Sequence, residues 1–205
     1  MAGRPADAER WYRRALEDFE ATGQQQYVAT AANNLAVHRL PAGERPEEFA
    51  GRDLLAEAET WARKAAGIME QIGDPSLRVW TTYGILAQIA QARGDGEGAR
   101  GWRRKERAAY VAFPGHWARL ETQWGPVVQA VAAAARGDAQ ARAAVAELLG
   151  QLARTDDLCN LAAALRRVLE GARDAEALAE ELALDCIDYL ILHKALEALE
   201  APPGD

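Results

Sequence analysis

Apolar residues recur along most of this chain at helical spacing. In AERWYRRALEDFEATG (8–23) they fall at Ala8, Trp11, Tyr12, Ala15, Leu16 and Phe19, which lie along one side of a helix. The set returns fifty residues on in AETWARKAAGIMEQIG (58–73), at Ala58, Trp61, Ala62, Ala65 and Met69. A third, degenerate copy is ARGWRRKERAAY (99–110), where Ala99, Trp102 and Tyr110 keep the spacing. Self-similarity of this kind marks a repeat architecture. Amphipathic stretches at 27–40 and 77–95 lie between the copies, so the order is helix, turn, helix, turn. Strand-like alternation is almost absent.

Punctuation supports the same division. Gly23, Gly73, Gly94 and Gly137 stand where helices should end, and Asp95 and Asp138 follow directly as candidate caps. PAGERPEEFAGRDL (41–54) lengthens one connection and is expected to be a surface loop. FPGHW (113–117) reads as a turn, followed by a helix pair at 117–136 and 139–153. Shorter helices are expected at 157–171, 174–182 and 185–199, starting at Asp157, Asp174 and Asp185.

The shared position of Trp11, Trp61 and Trp102 predicts that all three pack between helices. Trp80, Trp117 and Trp124 lie on other helices and could offer an aromatic binding surface.

These residues resemble the tetratricopeptide repeat (TPR) family. Its helix B carries a small residue, an aromatic and an Ala at spacings of four and three. Ala8, Tyr12 and Ala15 fit, and Ala58, Ala62 and Ala65 fit with the aromatic lost. The Leu–Ala pair of helix A is matched by Leu35-Ala36 and Leu86-Ala87. AERWYRRALEDFEATG is similar to the kinesin-light-chain-like repeats of bacteria, which often form sensor regions of STAND-type signalling proteins. The likeness covers residues 6–112 well and 117–153 loosely. Residues 160–196 resemble a tail that follows such arrays.

The resemblance implies an all-α, right-handed solenoid of helical hairpins with about ten helices. Repeats would occupy 1–153 and a helical cap 154–205. The chain opens on a helix B without its helix A, so a fragment of a longer array is expected. The family's concave groove would be lined by Asn33, Asn34 and Val37 from one repeat and by Thr81, Gly84, Gln88 and Gln91 from the next. Asn and Gln offer both a donor and an acceptor to an extended peptide. The basic pattern by which chaperone-binding members capture a C-terminal carboxylate is absent.

Charge and composition narrow the function classes. The net charge is −7, from 31 acidic and 24 basic residues, and that balance argues against a nucleic-acid partner. The basic run ARGWRRKER (99–107) is the local exception. Its Arg100, Arg103, Arg104, Lys105 and Arg107 form a candidate patch around Trp102. No apolar run is long enough for a membrane span, and the first residues lack a signal-peptide core. Cys159 and Cys186 are too few for a disulfide framework and suit a reducing cytoplasm as small buried hydrophobes.

Catalytic constellations are not evident. His38, His116 and His193 are far apart and lack metal-ligand spacing, although Cys186 and His193 could share a helix face. GDGEG (94–98) lacks the features of a phosphate loop, and Ser76 is the sole serine. No cofactor or metal is indicated. The expectation is a protein- or peptide-binding module, not an enzyme. The alternatives are a nucleic-acid-associated regulator using helix 99–107 and a module that self-associates through open terminal helices.

Overall fold

The computed structural model describes residues 5–39 and 53–201. It is all-α, with no strand among the described residues. The described residues form ten α-helices: α1 (Pro5–Ala21), α2 (Gln25–Arg39), α3 (Leu54–Ile72), α4 (Val79–Ala92), α5 (Gly96–Val111), α6 (Pro114–Ala135), α7 (Ala139–Leu152), α8 (Cys159–Leu169), α9 (Ala175–Glu181) and α10 (Cys186–Glu200). A short 3₁₀ turn, Pro75–Leu77, joins α3 to α4. Of the loop expected at 41–54, residues 41–52 lie outside the described part, while Asp53 and Leu54 open α3.

The chain forms two compact units, residues 1–106 and 107–205, and the divide falls within α5. In the first unit α2 packs against α1 and α3, and α3 packs against α4. Leu16, Val28, Leu35 and a group of alanines form the core between α1, α2 and α3. Ala58, Ala62, Ala65 and Ala66 are all buried on α3, where small side chains let neighbouring backbones approach. Helix α4 has almost no polar side: from Trp80 to Ala90 only Thr81 and Gln88 escape burial. A helix apolar nearly all round must be enclosed by its neighbours.

In the second unit α6 packs against α7 and α10, and α8 meets α6, α7 and α10. One core runs through these helices, from Trp124, Val128 and Val131 to Leu161, Leu165, Ile191 and Leu192. The change of pattern expected at 153/154 therefore lies inside a single compact unit.

Helix ends follow their local chemistry. Gly23, Gly73, Gly94 and Gly137 all have positive φ, as helix-ending glycines do. Asp53, Asp138, Asp174 and Asp185 each accept hydrogen bonds from backbone N–H groups of the following turn. Asp95 does the same for Gly98 N at 2.8 Å, which makes GDGEG a capped interhelical turn. A Cβ on Gly98 would lie 2.1 Å from the Asp95 carboxylate, so the glycine is what admits the cap.

Two expected boundaries are wrong. Asp157 does not start α8; Leu158 stands at the cap position without a side-chain bond, and the helix begins at Cys159. FPGHW is also more than a turn. Pro114 occupies the first helical position of α6, where its missing N–H costs nothing.

Candidate functional site

The expected groove residues come from α2 and α4, which touch each other directly. The link is polar: the buried Thr82 hydroxyl donates to Asn33 Oδ1 at 2.8 Å. This bond fixes the Asn33 amide while Asn33 stays partly exposed. Asn34 and Val37 of α2 are exposed, as are Gln88 and Gln91 of α4. Thr81 is half-buried and spends its hydroxyl on the carbonyl of Arg78, three residues back. Gly84 departs from expectation. It is buried, and a Cβ there would lie 2.6 Å from Glu106 Oε1. The centre of the α4 stripe is thus covered by a glutamate of α5, and Gly84 is a packing position.

The basic run divides by fate. Arg103 pairs with Glu106 at 2.9 Å. Lys105 places its ammonium 4.8 Å from the Trp102 ring centroid and 5.6 Å from that of Tyr83, two rings that stack on each other. Arg107 is 5% exposed and belongs to the core of the second unit. Its guanidinium bonds to the Glu176 carboxylate and lies 5.3 Å from the Tyr189 ring. Arg107 is therefore not part of a surface patch, because a helix turns successive residues to different sides. Arg100 and Arg104 line an open depression, but Asp95 and Glu97 line it too.

The tryptophans also separate. Trp61 and Trp102 are half-buried, whereas Trp11 is 67% exposed, against the expectation that all three pack alike. Trp80 and Trp124 are buried and unavailable as an aromatic binding surface; Trp117 is half-buried. A cavity of about 50 Å³ adjoins Trp102, lined by Glu59, Arg63, Arg93 and Asp95, with room for little more than water.

A set of contacts absent from the expected site joins the repeated helices. Arg13 of α1 lies 5.8 Å from the Trp61 ring of α3, and Arg63 of α3 lies 5.4 Å from the Trp102 ring of α5. Each arginine is held by a glutamate one turn earlier, Glu9 at 2.9 Å and Glu59 at 2.8 Å. Lys64 stands 5.5 Å from the Trp61 ring and pairs with Glu20 of α1. The signal was present in the sequence: Glu9, Arg13 and Glu20 recur fifty residues on as Glu59, Arg63 and Glu70. Charges on a helix flank carry no apolar periodicity, so a reading based on hydrophobic positions passes over them.

The ionisable groups follow their surroundings. Burial, and then the hydrogen bond its hydroxyl donates to Glu70, raise the Tyr83 phenol. Burial and Glu176 raise Tyr189 likewise. Burial, with Asp185 nearby, pushes Asp188 up to about 6. His116 is buried, stacked on Tyr110 with its Nδ1 2.8 Å from the Tyr110 carbonyl. His193 Nδ1 lies 3.3 Å from Glu197, outside hydrogen-bonding geometry. Cys159 and Cys186 are free thiols, partly exposed and not fully buried as expected. Among the described residues no group of three or more His, Cys, Asp or Glu side chains could hold a metal ion. Nor is any described helix long and apolar enough to cross a membrane. Against known proteins, no family model, no curated protein and no solved structure matches this chain.

Proposed function

We propose that this chain is a protein- or peptide-binding helical module of the TPR type, acting in the cytoplasm as the sensor or scaffold part of a larger bacterial signalling protein. The observation that carries this reading is the exposure of amide side chains on α2 and α4. Asn34, Val37, Gln88 and Gln91 are exposed, on helices that the Thr82–Asn33 bond ties together. Fixed helices presenting amides can pair with the backbone of an extended segment without ordering themselves first.

Three of the five basic residues at 99–107 are occupied by Glu106, by aromatic rings or by Glu176, which leaves little for phosphate. Selection from a displayed library of extended peptides tests the proposal. Selected peptides should bind in calorimetry, and replacing Asn34, Gln88 and Gln91 together by Ala should weaken binding by about tenfold or more. Undiminished binding by that variant would refute the assignment of these amides.

A further inference from the structure

The contacts between repeated helices have a direction. On α3, Glu57, Trp61 and Lys64 receive α1. Arg13 approaches Glu57 at 3.9 Å and lies over Trp61, while Glu20 pairs with Lys64. The giving side is an arginine with a carboxylate seven residues later; the receiving side is acid, tryptophan and base at spacings of four and three. Helix α3 repeats the giving side in Arg63 and Glu70, which engage Trp102 and the Tyr83 hydroxyl. Helix α5 keeps the receiving pair as Trp102 and Lys105.

Helix α1 carries the receiving triad as well. Asp7, Trp11 and Arg14 stand fifty residues before Glu57, Trp61 and Lys64 and keep each one's chemistry. On α1 the ring stands open: Trp11 is 67% exposed and Arg14 is exposed beside it, while Asp7 pairs with Arg10. Among the described residues, Arg13 and Glu20 are engaged by α3, and Arg63 and Glu70 by α5 and α4; Arg10, with Glu17 seven residues on, pairs with Asp7 of its own helix. A second copy could offer only the Arg10–Glu17 pair among the described α1 and α3 pairs, and its arginine is already held by Asp7.

We infer that the Asp7–Trp11–Arg14 face of α1 is a docking site for a partner helix that presents an arginine and, seven residues on, a carboxylate. The arginine would lie over Trp11 near Asp7, and the carboxylate would meet Arg14, as Arg13 and Glu20 do on α3. This site is separate from the α2 and α4 amides and stands or falls without them.

The probe is a fluorescent peptide of residues 8–23, stapled between positions 11 and 15 to hold it helical and to remove its own tryptophan. It carries Arg13 and Glu20, and the full chain is titrated into it by anisotropy. Saturable binding is expected, weakened about tenfold or more by Trp11→Ala in the chain or by Arg13→Ala in the peptide. Arg14→Glu should weaken it too, and pairing that variant with a Glu20→Lys peptide should restore most of the affinity, since the two charges exchange places. Trp11 is on the surface, so Trp11→Ala keeps the parent circular dichroism spectrum. Absence of saturable binding overturns the proposal, as does binding indifferent to Trp11 and Arg14. Trp11-dependent self-association in sedimentation would overturn it in favour of a second copy.

Discussion

Arg107 separates a structural cation from a surface one, and its removal has a size that the structure sets. Its side chain is 6% exposed, and that of its partner Glu176 is 31% exposed. An exposed ion pair contributes about 0–1 kcal/mol, while breaking a fully buried one costs about 3–5 kcal/mol. The half-open geometry here places the pair near about 2 kcal/mol on that scale. The guanidinium 5.3 Å from the Tyr189 ring adds about 1 kcal/mol. The buried aliphatic stem adds about as much again. Arg107→Ala should therefore destabilise the second unit by about 3–4 kcal/mol, which for a unit of this size lowers Tm by more than about 10 °C. Arg107→Leu, which keeps most of the stem, should cost less. A double-mutant cycle with Glu176→Gln should return a coupling of about 1–2 kcal/mol. Urea unfolding followed by far-ultraviolet circular dichroism measures all three. If Arg107→Ala unfolds within about 0.5 kcal/mol of the parent, as a solvated surface residue does, the interior assignment is wrong and the basic stripe regains Arg107.

Further outcomes follow from single contacts. The Asp188 carboxyl is raised to about 6 in the folded chain from 3.8, so its ionised form opposes folding above that range; the penalty fades as pH falls from about 6 towards 4. Asp188→Asn should stabilise the protein at pH 7.5 by about 1–2 kcal/mol and flatten that slope in thermal melts; destabilisation at pH 7.5 would contradict this. At Gly84 a methyl meets only the movable end of Glu106, so Gly84→Ala should change stability by less than about 1 kcal/mol, whereas Gly84→Leu should cost about 2 kcal/mol or more. Asp138→Ala removes the acceptor for Gln140 N and Ala141 N and should cost about 1 kcal/mol in urea unfolding.

Much of the secondary structure was legible because its signals are local. Asp138, Asp174 and Asp185 cap helices where the sequence placed them, and Gly23 and Gly73 end them. The Ala-x-x-Trp register likewise located α1, α3 and α5. What escaped depends on neighbours. Trp11 and Trp61 share a position in the repeat, yet Arg13 lies over Trp61 while Trp11 is 67% exposed. Arg107 looks like Arg103 in a basic run, and only the distant Glu176 and Tyr189 draw it inward. Gly84 looks like a groove position until Glu106 arrives from the next helix. Along α4 there was little face to read, because burial on nearly every side leaves no contrast between apolar and polar positions.

That enclosure of α4 also bears on how the first unit opens. Its backbone amides between Trp80 and Ala90 can meet solvent only when the helices around them part, since almost every side chain in the run is covered. Amide hydrogen exchange should therefore rank α4 among the slowest segments of the unit, with rates that track its global unfolding, while the outer turns of α1 exchange by local opening.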